Sequence, residues 1–450
     1  MTTQQRSRAN RPRPSEELEL KVTALAHGGR GVARREDGYV VFVSAALPGD
    51  TVRAAVTKSK RSYAEARLVE LVTPSPDRIP DTCVHEGEPC PGAAWQGLPY
   101  EQQLAHKAEQ VDDALRRIGG LEGFELEPIV PAVEQWRYRN KLEYSFGERG
   151  DELVLGFHAR GRWDEVVDVE DCHLASPANN ERRNEVREWA RDLGIPAYDR
   201  RAEQGVLRNL AIREGRRTGE IQTRLVTSPA DFARPPVDLH TVIEGSGSGT
   251  DGPTGALGSE YLHEQLCGLD FRISHRAFFQ TNTEMAERLY GTAAEMARLD
   301  GSERLFDLYC GIGTLALTMA KSAGEVWGIE VVPEAIVDAE ENARLNQITN
   351  ARFRAGDART AIRPLIEEAG RPDVVVVDPP RAGLSAKIVR RLIECEADRI
   401  VYVSCNPTTL APNAAQLTEA GYRLRRVRPV DMFPQTPHIE CVALLEQEPA

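Results

Sequence analysis

The chain has 450 residues, which is longer than a typical single domain, so we expect two or three domains. Its 41% hydrophobic and 28% charged residues are typical of a globular protein. No apolar run approaches the roughly 20 residues that a membrane helix needs, which argues against a membrane protein. No apolar segment follows the basic N-terminus and the eight cysteines are scattered, so we expect a cytoplasmic protein with thiols or ligands rather than disulfides.

The charge is unevenly distributed along the chain. The net charge of −13, taken alone, argues against a nucleic-acid partner. Residues 1–80, however, carry 14 Lys and Arg against 9 Asp and Glu, so this segment is about +5 and the remainder about −18. Lys58, Lys60 and Arg61 stand between two strand-like runs, where they are either merely solvated or contact RNA. The charge pattern leaves both interpretations open.

The N-terminal region predicts a disordered tail followed by a small β-barrel. Residues 1–14 are polar and basic, and we expect them to be disordered. In residues 15–73, short alternating apolar runs are separated by glycine-rich turns, a spacing typical of a small all-β barrel. The stretch HGGRGVAR, followed by GYVVFVSAALPGDTV, resembles the TRAM domain, an OB-like RNA-binding module. This resemblance implies RNA as a partner.

The remaining chain predicts two further domains. Residues 74–275 mix helix-like and strand-like patterns and predict a central α+β domain, with a flexible Gly/Ser/Pro-rich insertion at 244–259. Residues 276–450 alternate buried strand-like runs with helix-like segments, which predicts a doubly wound, mainly parallel α/β sheet. Ligands of such sheets bind beyond the carboxyl ends of the strands, so the residues after each strand are candidate site residues.

The first strand of the predicted sheet leads into the stretch FDLYCGIGTLAL. Gly311 and Gly313 allow a tight turn and a close approach of the backbone to a ligand. The glycine spacing also fits a dinucleotide fingerprint, so the loop alone does not exclude a dehydrogenase. The acidic Asp307 argues against binding of a pyrophosphate, which favours neutral or positive surroundings. It favours a cationic ligand such as S-adenosylmethionine. Glu330 ends the second strand, where carboxylates bind ribose hydroxyls.

Two later strands also end in chemically active groups. Asp378 follows four consecutive valines in DVVVVDPPRAG, so it emerges from a buried strand into the ligand crevice. Cys405 ends the next strand in VYVSCNP and should face the same crevice. A lone cysteine at a strand end is usually a core residue. Beside Asp378 and the glycine loop, we interpret it as a nucleophile, which a thiol becomes if local polarity lowers its pKa.

Taken together, the motifs resemble the uracil-5 RNA methyltransferases, a class I family that uses S-adenosylmethionine and acts on tRNA or 23S rRNA. The resemblance runs from Phe278 to Leu445 and is carried, in order, by FFQTN, FDLYCGIGTLAL, GIE, GDAR, VDPPRAGL, VYVSCNPTTLAPN and DMFPQTPHIECVALL. With its TRAM-like N-terminus, the chain resembles the three-domain rRNA enzymes more than the bacterial tRNA enzyme, which lacks that domain. The resemblance therefore implies methylation of a uridine in RNA, with 23S rRNA favoured over tRNA.

The resemblance also implies site residues and a mechanism. Cys405 would add to carbon 6 of uracil, and Glu440 in HIEC would remove the proton from carbon 5. Ile439 and Cys441 would help to provide the apolar setting that raises the pKa of the Glu440 base. The cofactor-site positions of the family fall on Gln280, Tyr309, Glu330 and Asp378. Arg381 is a further candidate, for a contact with phosphate or the enolate oxygen.

The chain departs from the family pattern at its cysteines. Family members with a four-iron cluster carry C…CGGCxxQ and a fourth cysteine further on, whereas here Cys83, Cys90 and Cys172 are present and Ala93 stands in place of the remaining ligand. A four-iron cluster needs a ligand for each iron. Zinc, with His85 or His173 as an additional ligand, is an alternative. We expect no bound metal and interpret the cysteines as remnants.

Other classes of protein fit the sequence less well. A catalytically silent RNA-binding protein of the same fold has no need for the combination of Cys405, Glu440, Asp378 and Gln280. A cytosine-5 RNA methyltransferase carries a further cysteine where this chain has Asp378-Pro-Pro-Arg381. A dehydrogenase offers no role for Cys405 and is disfavoured by Asp307. The oligomeric state expected is a monomer.

Overall fold

The computed structural model describes residues 11–85, 88–159, 162–230, 241–244, 253–255 and 261–448. Residues 1–10 of the expected tail lie outside the described residues, as does the expected insertion at 244–259 apart from Glu244 and residues 253–255. The chain divides into two compact units, Met1–Gln110 with Phe433–His438, and Val111–Met432 with Ile439–Ala450. The predicted domain boundaries after residues 73 and 275 stay a prediction.

The first unit contains a closed five-stranded barrel in the order β1-β2-β3-β5-β4. Its strands are β1 (Glu17–Leu25), β2 (Gly31–Arg34), β3 (Val40–Ser44), β4 (Thr51–Ser59) and β5 (Tyr63–Thr73). Alternate apolar side chains fill the interior, among them Val22, Val41 and Val52. Closure leaves the barrel without a free sheet edge. The predicted N-terminal barrel is confirmed.

Beyond the barrel, the first unit carries a short hairpin and most of a helix. These elements are β6 (Val84–His85), β7 (Glu88–Pro89) and α1 (Tyr100–Asp113), and a π-helical turn (Ala114–Ile118) continues α1 into the second unit. The Gln103 side chain on α1 donates hydrogen bonds to the Trp95 and Leu98 carbonyls at 3.1 and 2.9 Å and to Gln435 Oε1 at 2.8 Å. These buried contacts hold the returning segment Phe433–His438 within the first unit.

After the π-helical turn, the second unit continues with strand β8 (Glu125–Leu126) and with a seven-stranded, mostly antiparallel sheet in the order β11-β10-β9-β12-β13-β14-β15. The sheet strands are β9 (Lys141–Arg149), β10 (Glu152–His158), β11 (Val166–Asp168), β12 (Leu207–Glu214), β13 (Ile221–Thr227), β14 (Thr241–Glu244) and β15 (Pro253–Gly255). Helix α2 (Pro177–Asp192) begins at a Ser176 cap whose hydroxyl accepts from the Asn179 N–H. A separate hairpin of β16 (Tyr261–Leu266) and β17 (Leu269–Ser274) follows.

The C-terminal sheet has eight strands in the order β20-β19-β18-β21-β22-β24-β23-β8. Its further strands are β18 (Arg304–Asp307), β19 (Glu325–Glu330), β20 (Ala351–Ala355), β21 (Val374–Val377), β22 (Arg399–Ser404), β23 (Tyr422–Val430) and β24 (Glu440–Gln447). The helices are α3 (Thr283–Ala297), α4 (Thr314–Ala320), α5 (Pro333–Leu345), α6 (Ala358–Ala369), α7 (Ala386–Cys395) and α8 (Pro407–Glu419). Strands β18 to β22 run parallel, and β24 is antiparallel to β22. The predicted doubly wound α/β fold is confirmed.

The topology of this sheet creates a crevice at the carboxyl end of β18. The chain passes from β18 to β19 and β20 on one side, and afterwards places β21 and β22 on the other side. Ligands bind where the strand order reverses in this way. Asp307, Glu330, Asp378 and Cys405 all lie at, or directly after, the ends of these strands. In the part of the chain that the structure describes, no helix is both long and apolar enough to cross a bilayer.

Candidate active site

The glycine loop after β18 leaves space on one side and packs tightly on the other. Gly311 has φ +53°, and a Cβ added there would meet nothing within 4 Å. Gly313 has φ +84°, and a Cβ added there would lie 3.1–3.3 Å from neighbouring side chains, so the turn packs tightly at this residue. Both conformations favour glycine. At Gly328 in β19, a Cβ would lie 2.5 Å from the Phe353 ring.

Asp307 is a buried carboxyl that lacks a full set of partners. It is 1% exposed, its Oδ1 accepts from the Tyr309 N–H at 3.3 Å, and its Oδ2 has no hydrogen-bond partner among the described residues. Burial raises the pKa of Asp307 to about 7, and the nearby charges of Asp378 and Glu330 act in the same direction. An orphaned buried acceptor is costly unless a ligand supplies a donor or a positive charge.

Glu330 and Tyr309 line the same end of the sheet. The Glu330 carboxylate accepts from the Gly311 N–H at 3.3 Å and from the Val332 N–H at 3.0 Å, so it is fixed across the glycine loop. Tyr309 is partly exposed, and burial raises its pKa to about 12, so its hydroxyl is neutral and can donate. These groups offer acceptors and a donor to a ligand with sugar hydroxyls.

Gln280 lies in the segment before α3 and is 7% exposed. Its carbonyl accepts from Asn140 Nδ2 at 2.9 Å, and the Asn140 N–H donates to the Thr281 carbonyl at 2.8 Å. Asn282 then caps α3 by accepting from the Met285 N–H. The FFQTN segment is therefore held by Asn140, which lies 140 residues upstream in the chain. No local sequence signal distinguishes Asn140, and the sequence analysis missed it.

Cys405 and Glu440 come together because β22 and β24 are antiparallel neighbours. Ser404, the last residue of β22, pairs with Cys441, so Cys405 and Glu440 stand at the adjoining ends of the two strands. Cys405 is half-buried, whereas Glu440 is 4% exposed and is flanked by the fully buried Ile439 and Cys441. The register of the two strands therefore places the Cys405 thiol near the Glu440 carboxyl, although the two residues are distant in the chain.

The backbone around Cys405 is fixed by the residues that follow it. The Asn406 side chain accepts from the Thr408 N–H and so caps α8. Its amide also donates to the Arg381 carbonyl at 3.1 Å, which ties the loop after β22 to the loop after β21. The Ser404 hydroxyl accepts from the Asn406 N–H at 3.1 Å. The thiol therefore stands on a rigid strand-to-helix turn.

Electrostatically, Cys405, Glu440, Asp378 and Arg381 form one group. Burial raises the pKa of the Cys405 thiol to about 11, the charges of Glu440 and Asp378 add to the rise, and Arg381 opposes it. Burial raises the pKa of Glu440 well above its ordinary value, with Asp378 adding to the rise and Arg381 again opposing it. Burial also raises the pKa of the partly buried Asp378, to about 7. The sequence analysis made the nucleophilic role of Cys405 depend on a lowered thiol pKa, whereas the surrounding residues raise this pKa.

The residues at this crevice fit S-adenosylmethionine. One oxygen of Asp307 has no hydrogen-bond partner among the described residues, and the pKa values of Asp307, Asp378 and Glu440 are all raised, which indicates that the site lacks positive charge. S-adenosylmethionine would supply this charge, because it carries a sulfonium and an ammonium group. The space at Gly311 lets a ligand approach the backbone. A thiol, a buried carboxyl and an arginine beside it form a second, reactive part of the same crevice.

The other predicted functional residues lie elsewhere. Lys58, near the end of β4, and Lys60 and Arg61, directly after this strand, are all exposed near the β4–β5 turn of the barrel. A cavity of about 520 Å³ lies on the seven-stranded sheet and contains none of the predicted site residues. Its polar and aromatic lining includes Ser145, His158, Trp163, Tyr198, Arg208 and Asn209. Cys83 and Cys90 belong to the first unit and Cys172 to the second.

Two family models match the sequence. Residues 256–448 match the model described as tRNA (Uracil-5-)-methyltransferase, which covers the C-terminal sheet with its strand-end residues. Residues 13–69 match the TRAM domain model, which covers the closed barrel. Each match falls on a part of the chain for which the motifs and the fold independently indicate the same assignment.

Whole-length relatives and a solved structure extend these matches. An uncharacterised RNA methyltransferase of Halalkalibacterium halodurans is 39% identical over 445 residues, 95% of this chain and 96% of the relative. Another, from Porphyromonas gingivalis, is 40% identical and covers 95% of this chain and 99% of its own length. The structure of the Pyrococcus abyssi tRNA (uracil-54, C5)-methyltransferase with S-adenosyl-L-homocysteine aligns at a TM-score of 0.76 and 28% identity, covering 95% of this chain and all of that chain.

Proposed function

The chain belongs to the uracil-5 RNA methyltransferase family and carries a TRAM domain, and on this premise we propose that it methylates carbon 5 of a specific uridine in 23S rRNA through a covalent Cys405–uracil adduct. It is an RNA methyltransferase, and its methyltransferase fold is that of enzymes that use S-adenosylmethionine. The observation that carries the proposal is that Cys405 and Glu440 lie at the adjoining ends of β22 and β24, where the charge of Glu440 acts on the thiol.

The proposed cofactor site consists of Gln280, Tyr309, Glu330 and Asp378, together with the orphaned oxygen of Asp307. When bound, S-adenosylmethionine supplies an electrophilic methyl group. Asp307 offers a negative charge to the cation, and Glu330 is held by two backbone N–H groups in a position to accept from ribose hydroxyls. Asp378 follows β21, which lies between β18 and β22 in the sheet, and its charge acts on both Asp307 and Cys405.

Cys405 would act as the nucleophile. Carbon 5 of uracil is a weak nucleophile until a thiolate adds to carbon 6, which turns the ring into an enolate whose carbon 5 can accept the methyl group. The thiol has to lose its proton first, and its pKa of about 11 makes the thiolate rare in the protein without ligands. Arg381 favours the thiolate, and a cation bound near Asp378 would act in the same direction.

Glu440 would act as the base that completes the reaction. After methyl transfer, it removes the proton from carbon 5, the electron pair re-forms the C5–C6 double bond, and the Cys405 sulfur leaves carbon 6. The raised pKa of Glu440 gives its carboxylate more basicity than an exposed glutamate has. The same raised pKa means that the carboxyl must first be ionised, for which positive charge in the crevice is again favourable.

The proposed substrate is 23S rRNA, acted on in the cytoplasm by a monomer. This choice rests on the sequence resemblance to the three-domain rRNA enzymes, because the TRAM domain by itself is compatible with either RNA. The second candidate is tRNA, because the Pyrococcus abyssi enzyme, which aligns over 95% of this chain, is a tRNA (uracil-54, C5)-methyltransferase. The exposed Lys58, Lys60 and Arg61 of the barrel offer positive charge to the phosphate backbone of either RNA.

Mapping 5-methyluridine distinguishes these substrates. Total tRNA and 23S rRNA from a deletion strain, from the same strain complemented with the intact gene, and from one complemented with Cys405→Ala are digested and analysed by mass spectrometry. We expect one or more uridine sites in 23S rRNA to lose the methyl group in the deletion strain and to regain it only with the intact gene. Loss confined to tRNA would select the second candidate, and no missing site in either RNA would contradict the proposed function.

A further inference from the structure

Three potential metal ligands converge in the first unit, outside the proposed active site. Cys83 lies directly before β6, His85 ends that strand, and Cys90 lies directly after β7. The two sulfur atoms and one imidazole nitrogen all lie within 4.8 Å of one another, and Cys83 Sγ is 3.4 Å from His85 Nε2. All three residues are buried.

The backbone of this cluster is held by a dense set of hydrogen bonds. The Gln96 side chain accepts from the Cys83 N–H at 2.8 Å and donates to the Cys83 carbonyl at 2.9 Å. The Cys90 N–H donates to the same carbonyl at 2.9 Å, and the Ala93 N–H donates to the Cys90 carbonyl at 3.2 Å. The ligands are therefore positioned by fixed backbone, as a preformed metal site requires.

We propose that Cys83, His85 and Cys90 bind a single zinc ion as three of its four ligands, with water in the fourth position. Zn–S bonds of about 2.3 Å and Zn–N bonds of about 2.0–2.1 Å in a tetrahedron place a sulfur and a nitrogen ligand about 3.6 Å apart, and two sulfurs about 3.8 Å apart. The distance of 3.4 Å between Cys83 Sγ and His85 Nε2, and the separations of at most 4.8 Å between the other ligand atoms, agree with these values. Two thiolates and an imidazole are ligands that zinc prefers.

The same distances argue against a four-iron cluster at these residues. The terminal ligands of such a cluster bind different iron atoms, which spaces them roughly 6 Å apart, wider than any pair in this group. Ala93, which cannot be a ligand, stands where the family resemblance implies a further cysteine. The proposal departs from our sequence-based interpretation of the cysteines as remnants. The ion would fix the segment from Cys83 to Gln96 beside the barrel, and metal binding of this kind contributes directly to folding stability.

Metal analysis of the full-length protein tests the proposal independently of methyltransferase activity. Protein produced in zinc-supplemented medium and purified without chelators is measured by inductively coupled plasma mass spectrometry. We expect about one zinc ion per chain. Cys83→Ser and Cys90→Ser should each lose most of the zinc, whereas the control Cys267→Ser, which alters a partly exposed thiol outside the group, should retain it.

Cobalt substitution provides a readout that does not depend on the variants being folded. Co²⁺ exchanged into the wild-type protein should give the visible bands of tetrahedral cobalt and the near-ultraviolet band of a cobalt–thiolate bond. Iron and inorganic sulfide with a broad brown absorption, or no retained metal even after incubation with Zn²⁺, would overturn the proposal. Undiminished zinc in both cysteine variants would overturn it as well.

Discussion

Replacing Asp307 by asparagine should change how the stability of the protein depends on pH. The Asp307 carboxyl has a pKa of about 7 in the folded protein, compared with 3.8 as its ordinary value. The folded state therefore holds this proton more tightly than the unfolded chain does. That stabilisation is fully present below pH ~4 and is lost as the pH rises through about 7.

The magnitude follows from the two pKa values. With 1.36 kcal/mol per pKa unit, the contribution of this carboxyl to the free energy of unfolding falls by about 2.5 kcal/mol between pH 5 and pH 8. Asp307→Asn keeps the size of the side chain and does not titrate. The free energy of unfolding of the variant minus that of the wild type should therefore rise by about 2.5 kcal/mol across this interval, whatever the difference is at pH 5.

Urea denaturation at pH 5, 6, 7 and 8 measures this difference directly. Gly291→Ala, at an exposed position on α3, is the control; it neither adds nor removes an ionisable group and should give a constant difference. Calorimetry should at the same time show at least about tenfold weaker binding of S-adenosylmethionine to Asp307→Asn, because the carboxylate facing the cation is gone. A stability difference for Asp307→Asn that stays within about 0.5 kcal/mol over the whole range would refute the reasoning.

Three further outcomes are expected. Glu440→Gln should still form the methylated adduct but release product at least about 100-fold more slowly than the wild type. The protein–RNA adduct should therefore accumulate in single-turnover reactions. Equal release rates in the variant and the wild type would argue against Glu440 as the base. Alkylation of Cys405 by iodoacetamide, followed by peptide mass spectrometry, should accelerate about tenfold per pH unit from pH 8 to 10, because the pKa of the thiol is about 11. A rate that reaches half its maximum near pH 9 would show an unperturbed thiol. Gly328→Ala should lower the free energy of unfolding by roughly 1–3 kcal/mol, because the new methyl group would clash with the Phe353 ring. Gly291→Ala, at a position on α3 with open space around it, should leave the free energy of unfolding unchanged or raise it slightly. Equal effects of the two changes would contradict the steric argument.

The sequence predicted those features that depend on local pattern. Buried runs such as the four valines before Asp378 identified the parallel strands, and strand ends then located Asp378 and Cys405. The glycine loop could also be predicted from local pattern, because a tight turn between a strand and a helix requires backbone conformations that favour glycine. The closed barrel followed from its short alternating runs and turns.

Features that depend on contacts between distant segments could not be predicted in this way. The raised pKa of Cys405 arises from burial and from carboxyls on β21 and β24, which only the folded sheet brings together. Asn140 holds the FFQTN segment across 140 residues of chain, and one asparagine carries no signal of that role. The sequence analysis considered His85 as a zinc ligand, but its position beside Cys83 and Cys90 required the folded hairpin.

The central claim, that Cys405 forms a covalent bond to uracil, is tested most directly with RNA that contains 5-fluorouridine. Fluorine at carbon 5 cannot be removed as a proton, so the adduct formed with S-adenosylmethionine should persist as a denaturation-resistant protein–RNA band. Tandem mass spectrometry should locate the modified, methylated nucleotide on Cys405, and the band should be absent from Cys405→Ala and present in Cys267→Ser. A band that survives in Cys405→Ala, or a nucleotide attached to any other residue, would contradict the mechanism.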